Sequence, residues 1–265
     1  MKIDLETLEI TVEGQSIAGS LLAPTSAVPG VLFVHGWGGS QEEDLERARE
    51  VAALGCVCLT FDLRGHKRTE QQRKQVSRDQ NLKDLIAAYD LFAGRFGVED
   101  SAIAVVGSSY GAYLGTILTS LRPVRWLALR APALYKDEGW ELPKTQLNLD
   151  PDLPAYRRRM LHWKDNRALG ACANFRGDVL LVESEYDDLT PHPGVVNHIA
   201  ALTKARSITF RTISGADHSL ARDVDQRAYT TLLMHWLTEM VFGARGDAVA
   251  PEVPSADNKR ESRAS

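Results

Sequence analysis

Gly107-Ser108-Ser109-Tyr110-Gly111 is the stretch on which the reading of the fold turns. Ahead of it runs Ala102-Ile103-Ala104-Val105-Val106, an apolar run of strand length. Behind it runs Ala112-Tyr113-Leu114-Gly115-Thr116-Ile117-Leu118, which reads as the start of a helix. A serine on a tight strand-to-helix turn has its hydroxyl pushed out at the sheet edge, beside the helix N-terminus. Glycine on either side suits a crowded turn, where a side chain would strike the neighbouring strand or helix. The residues of this pattern are common, and a glycine- and serine-rich connector is the ordinary alternative. The setting between strand and helix is what gives the pattern weight.

Working outward, segments that read as strands recur at residues 31–34, 56–61, 124–129, 178–182 and 207–213, and helical periodicity at 42–54, 81–96, 193–203 and 223–242. Two antiparallel strands are expected first, at 5–12 and 16–22. The later alternation predicts an α/β fold, a mostly parallel central sheet with helices on both faces, which binds ligands at the C-terminal ends of its strands. Residues 1–243 read as one domain. Residues 62–78 are a polar loop, and residues 132–176 form an insertion rich in aromatic and charged side chains. Residues 244–265 are polar, contain Pro251 and Pro254, and have no periodicity; a disordered tail is expected there.

The length of 265 residues suits one large domain with a filled core. With 44% hydrophobic and 25% charged residues, the composition is that of a soluble globular protein. A net charge of −4 argues against nucleic acid or an anionic membrane surface as partner. The cysteines are Cys56, Cys58 and Cys172; the odd count argues against a disulfide framework, and Cys-x-Cys alone is poor zinc spacing. Cys56 and Cys58 alternate within an apolar strand and are expected to pack as buried thiols. The N-terminus has no apolar leader core and no run reaches membrane-spanning length, so a cytoplasmic location is expected.

A serine hydroxyl is a weak nucleophile at neutral pH and needs a base, and the base needs a carboxylate to fix its tautomer. The order serine, acid, histidine is the one expected on a strand–turn–helix scaffold. His218, in Ser214-Gly215-Ala216-Asp217-His218-Ser219, follows the last strand and is the candidate base. Asp187, in Tyr186-Asp187-Asp188-Leu189-Thr190-Pro191, is the candidate acid, with Asp188 as its rival. Charge developing on a carbonyl oxygen needs preorganised N–H donors. Tyr110, directly after the serine, supplies one expected donor. Trp37, in His35-Gly36-Trp37-Gly38-Gly39, supplies the other. This chemistry calls for no metal and no organic cofactor.

Taken together, the loop at 35–38, the turn at 107–111, the acid loop at 187–191 and Gly215-Ala216-Asp217-His218 resemble the α/β-hydrolase superfamily, above all its dienelactone-hydrolase-like and serine-peptidase-like small members. The resemblance covers residues 31–242, and Phe61-Asp62-Leu63-Arg64-Gly65-His66 matches a further loop. The chain departs from the family at Ser184, at Lys67-Arg68-Thr69 and after Gly111, where relatives place glycine or a different continuation. The resemblance implies the α/β-hydrolase fold and a serine hydrolase that cleaves small-molecule carboxylic esters through an acyl-enzyme on Ser109. Thioester or amide cleavage, acyl transfer, and a non-catalytic binding protein on the same scaffold are the alternatives. The insertion falls where the superfamily commonly carries a cap. Trp37, Tyr135, Trp140 and Trp163 are then the expected pocket lining, with Tyr156, Met160 and Leu161 in the roof. The competing reading is a surface excursion whose aromatics pack on the domain below.

Overall fold

The computed structural model describes residues 3–24, 29–94 and 102–249. Eight strands form one sheet: β1 (Ile3–Val12), β2 (Gln15–Pro24), β3 (Gly30–Val34), β4 (Val57–Phe61), β5 (Ile103–Ser108), β6 (Trp126–Arg130), β7 (Asp178–Tyr186) and β8 (Ser207–Asp217). Their order is β1-β2-β4-β3-β5-β6-β7-β8. β1 pairs antiparallel with β2 and β2 antiparallel with β4, and every later pairing is parallel. The central strands are mostly apolar because both faces are covered. In β3, Val31 and Phe33 enter one core and Leu32 and Val34 the other. The same alternation divides β5, with Ala104 and Val106 on the first side and Ile103 and Val105 on the second. A one-residue slip would exchange the two sets, so the pattern fixes the register.

Helices α1 (Gln41–Ala53) and α8 (Asp223–Val249) cover the face built around Val31 and Phe33. They contribute Ala48, Val51 and Ala52 from one side and Tyr229, Leu233 and Trp236 from the other. The opposite face is covered by α2 (Arg78–Ala93), α3 (Tyr110–Leu118) and α6 (Arg167–Asn174). Cys56, Cys58 and Cys172 are buried free thiols. No helix of the described residues is long and apolar enough to cross a membrane.

Three elements differ from the sequence expectation. α2 begins at Arg78 rather than 81, because the Ser77 hydroxyl accepts from the Gln80 N–H while the Gln80 side chain accepts from the Ser77 N–H, a capping box inside the supposed loop. The loop itself carries a short 3-10 turn at Lys67–Gln72. The insertion expected over 132–176 divides: α4 (Lys144–Leu147) and α5 (Leu153–Arg157) lie in its first part, whereas α6 buries Leu169 and Cys172 in the core against α3 as an ordinary crossover between β6 and β7. α8 runs past 243 to Val249, so the first six residues of the expected tail are helical; residues 250–265 lie outside the described residues. α7 (His192–Ala201) completes the set.

Two glycines test this packing in opposite directions. A Cβ on Gly111 would overlap the carbonyl oxygens of Val34 and His35, which are backbone and cannot yield. Gly111→Ala is expected to prevent folding or to cost several kcal/mol, read as a large fall in the urea midpoint. Gly243 in α8 has nothing within 4 Å of the added carbon. Gly243→Ala is expected to raise stability by up to about 1 kcal/mol.

Candidate active site

Ser109 sits between the end of β5 and the first turn of α3 with φ 51° and ψ −109°. That backbone is held from three directions. The Ser109 N–H donates to the Arg130 carbonyl at 2.8 Å, and its own carbonyl accepts from Tyr113 N–H at 3.1 Å and Ala133 N–H at 3.2 Å. A Cβ on Gly107 would lie 2.6 Å from the Ala112 Cα, so the close approach of strand and helix permits only glycine there.

The Ser109 hydroxyl is 3.0 Å from His218 Nε2, and His218 Nδ1 is 2.7 Å from Asp187 Oδ2. β8 carries the backbone to Asp217, one residue short of the imidazole, and β7 ends at Tyr186, one residue short of the carboxylate. Thr190 completes the acid loop. Its hydroxyl donates to Asp187 Oδ2 at 2.6 Å, and the N–H groups of Leu189 and Thr190 donate to Asp187 Oδ1. Burial alone would raise this carboxyl, but the hydrogen bonds from His218 and Thr190 outweigh it and hold the group below the ordinary aspartate value. Asp188, the rival acid, is fully exposed and faces Arg158. Arg130, buried at the end of β6, donates from Nη1 to the His218 carbonyl at 2.8 Å and from Nε to Ser108 Oγ at 3.3 Å. The guanidinium therefore ties the histidine loop to the serine turn.

The loop after β3 is organised by two histidines. His35 Nδ1–H donates to the Gly36 carbonyl at 2.8 Å, while its Nε2 accepts from the Leu63 N–H at 3.0 Å. In a trans peptide N–H and C=O point oppositely, so fixing the Gly36 carbonyl turns the Trp37 N–H the other way. His66 Nε2 accepts from the Gly38 N–H at 3.0 Å. Its own loop is held to α2 by Arg64, whose Nε donates to the buried Asp84 carboxylate at 2.5 Å. Gly36 lies against the serine turn, with an added Cβ 3.4 Å from the Ser108 carbonyl oxygen and 3.5 Å from the Ser109 Cβ.

A cavity of about 460 Å³ opens beside Ser109 and His218. It is walled by Trp37 and the following glycines, by Asp44 and Arg47 of α1, and by Arg130 and Tyr229. Of the four expected pocket residues only Trp37 lines it. Tyr135 is buried edge-on to Tyr110 and Tyr113, and Trp140 stacks on Tyr113 with the Arg78 and Arg167 guanidiniums over its ring at 4.8 and 4.4 Å. Trp163 is on the surface beside Lys164. Tyr135 and Trp140 are thus spent on internal packing, and the cavity opens toward α1 and α8 instead. Among the described residues no cluster of three His, Cys, Asp or Glu side chains is placed to hold a metal ion.

Residues 31–231 match the alpha/beta hydrolase family. The chain belongs to that family. The hydrolase is 26% identical, over 231 residues, to an uncharacterised protein of Mycobacterium tuberculosis, a match covering 86% of this chain and 77% of the relative. Its fold is similar to that of a dienelactone hydrolase from Anabaena variabilis, with a TM-score of 0.66 and 19% identity over 90% of this chain and 99% of the other. It is also similar to the thermostable carboxylesterase EstE1 from a metagenomic library, with a TM-score of 0.67 and 20% identity over 90% and 89%.

The supports that sequence reading missed have unequal signals. Thr190 stands inside the quoted acid loop, three residues after the carboxylate it holds, a spacing that reads as a side-chain turn. His35 opens and His66 closes a stretch quoted above, but neither stretch signals which backbone groups its ring will hold. Arg130 has no local signal, since its partners are 22 and 88 residues away.

Burial gives this hydrolase a defined acid sensitivity. It lowers His35, His66 and His198 to about 4, because the imidazolium loses its hydration. The unfolded chain takes up these protons near pH 6.5 and the folded chain does not. Stability is therefore full above that pH and falls as pH drops toward 4. Asp44 works the other way: burial raises it to about 6, so its ionisation costs stability as pH rises from about 4 to 6. Urea titrations across pH 4–8 are expected to show a net loss toward acid. Asp44→Asn is expected to gain on the wild type above pH 6 and to match it at pH 4.

Proposed function

We propose that the protein is a serine hydrolase that cleaves small carboxylic esters through an acyl-enzyme on Ser109. The observation that carries this reading is the unbroken series from the Asp187 carboxylate through the His218 imidazole to the Ser109 hydroxyl, with links of 2.7 and 3.0 Å, on a strained turn at the mouth of a cavity. Family membership supports the hydrolase class. The cavity volume of about 460 Å³ suits a small ester rather than a protein.

In the proposed sequence the Ser109 oxygen attacks the ester carbonyl carbon while His218 Nε2 takes the hydroxyl proton. The carbonyl oxygen gains the negative charge and is met by the N–H groups of Trp37 and Tyr110, the latter also at the N-terminus of α3. The tetrahedral species collapses, the carbon–alkoxy bond breaks, and the imidazolium gives its proton to the departing alcohol. Water then attacks the acyl-serine, His218 takes its proton, and the same nitrogen returns a proton to Ser109 as the carboxylic acid leaves. Asp187 keeps Nδ1 protonated and stabilises the imidazolium. Its own ionisation is secured by Thr190, so it stays an acceptor throughout.

A fluorophosphonate probe is expected to label the wild type on Ser109. Ser109→Ala is expected to abolish both labelling and hydrolysis of short-chain nitrophenyl esters. Asp187→Asn is expected to lower kcat by about 10³- to 10⁴-fold, and Asp188→Asn to leave it within twofold. Labelling that persists in Ser109→Ala, or a wild type that neither labels nor turns over any ester, thioester or amide, would overturn the assignment in favour of another nucleophile or a binding protein.

A further inference from the structure

We propose that Lys144, carried by the insertion, is a positioning residue for the oxyanion donors: its buried ammonium sits among the rings of Trp37, Tyr110 and Tyr135 and fixes the two residues whose N–H groups meet the reacting carbonyl. The inference rests on the assignment of Trp37 and Tyr110 to that role.

Lys144 is fully buried, and among the described residues no carboxylate pairs with it. Its Nζ lies 5.0 Å from the Trp37 ring centre, 5.0 Å from that of Tyr110 and 4.5 Å from that of Tyr135, and it donates to Asn148 Oδ1 at 2.5 Å. Burying an ammonium with no carboxylate beside it is costly, and a methionine of similar length would fill the same space without that penalty. What the charge adds is direction. Attraction to the face of a ring depends on where the cation stands, so one ammonium among three rings restrains all of them at once. The ring of Trp37 is held from elsewhere too, by the Arg73 guanidinium at 5.7 Å and the edge of His66 at 4.8 Å. The Trp37 and Tyr110 rings also meet edge to face at 5.7 Å.

The backbone reinforces the link. The Lys144 N–H donates to the Val76 carbonyl at 2.8 Å, and Pro143 forms a bridge with Ser77, so α4 is anchored to the loop that carries His66 and Arg73. The Lys144 side chain therefore touches both the serine turn and the loop after β3. Burial pulls the Lys144 ammonium below the ordinary lysine value, and Lys144 and Arg157 beside the buried Tyr135 phenol outweigh its own burial and draw that group below its ordinary value. Burial thus disfavours the Lys144 cation, whereas the neighbouring cations favour the Tyr135 anion. A misplacement of an ångström at a reacting centre costs roughly a hundredfold in rate, so a modest relaxation of two donors is measurable.

The test compares Lys144→Met with the wild type, each normalised to the fraction of Ser109 that fluorophosphonate labels. The readouts are kcat and KM for a nitrophenyl ester, and the affinity of a trifluoromethyl ketone, which binds as a tetrahedral adduct. The expected result is a fall of about tenfold to a hundredfold in both kcat and adduct affinity, with KM within twofold. Lys164→Met, an exposed lysine on the same insertion, is expected to match the wild type. Should Lys144→Met not fold, Asn148→Ala frees the ammonium from its hydrogen bond at an exposed position, and it is expected to shift kcat and adduct affinity together by a smaller factor. A labelled population of either variant with unchanged kcat and adduct affinity, or a change confined to KM or to thermal stability, would overturn the inference while leaving the ester hydrolase reading intact. Loss of labelling and turnover in the wild type would instead remove that reading itself.

Discussion

Everything at the candidate site depends on the backbone of Ser109 being held in a conformation that an isolated chain avoids. A φ of 51° with ψ of −109° lies outside the regions open to ordinary L-residues, and such a residue costs about 1–3 kcal/mol. The sheet supplies the restraint. β3, β5 and β6 run parallel and in register, so the end of β6 presents the Arg130 carbonyl to the Ser109 N–H, and the end of β3 leaves no room beside Gly111. The strain puts the side chain where a neighbouring loop can reach it, which is why the histidine arrives from β8, three strands further along the sheet.

Around that point the molecule uses buried polar groups as fasteners. His35, His66, Arg64, Arg130 and Lys144 are all buried, and each joins segments that are distant in sequence. A buried hydrogen bond is strong because its loss leaves a polar atom with neither water nor partner. Together these links fix the loop after β3, the serine turn and the histidine loop relative to one another before any ligand arrives. The insertion belongs to this framework. Asn166 donates to the Tyr135 carbonyl and the Tyr156 hydroxyl, and the Arg78 guanidinium bonds the carbonyls of Lys136 and Glu138, so its first part is stitched down rather than hinged.

Sequence reading reached the elements whose signals are local. Six strand-length segments marked the parallel strands, and Gly-x-Ser-x-Gly between a strand and a helix marked the turn at Ser109. His218 and Asp187 were found because a fold of this kind places loops in a known order, and the structure brings both to Ser109. The start of α2 was missed because its capping box lay in a stretch that looked merely polar. The pocket lining went astray for a different reason. Aromatic residues in an insertion look the same whether they roof a cavity or pack inward, and the cations that hold Tyr135 and Trp140 come from positions as far apart as Arg78 and Arg167. Which face of the serine the cavity occupies depends on α1 and α8, and no motif in the sequence encodes their separation.

The most direct measurement is a crystal structure of the protein after reaction with a fluorophosphonate. The account requires a covalent bond from Ser109 Oγ to phosphorus, with the phosphoryl oxygen within hydrogen-bond distance of the Trp37 and Tyr110 N–H groups and the His218 imidazole still bonded to Asp187. A phosphorus atom on any other residue, or a phosphoryl oxygen turned away from both N–H groups, would contradict it.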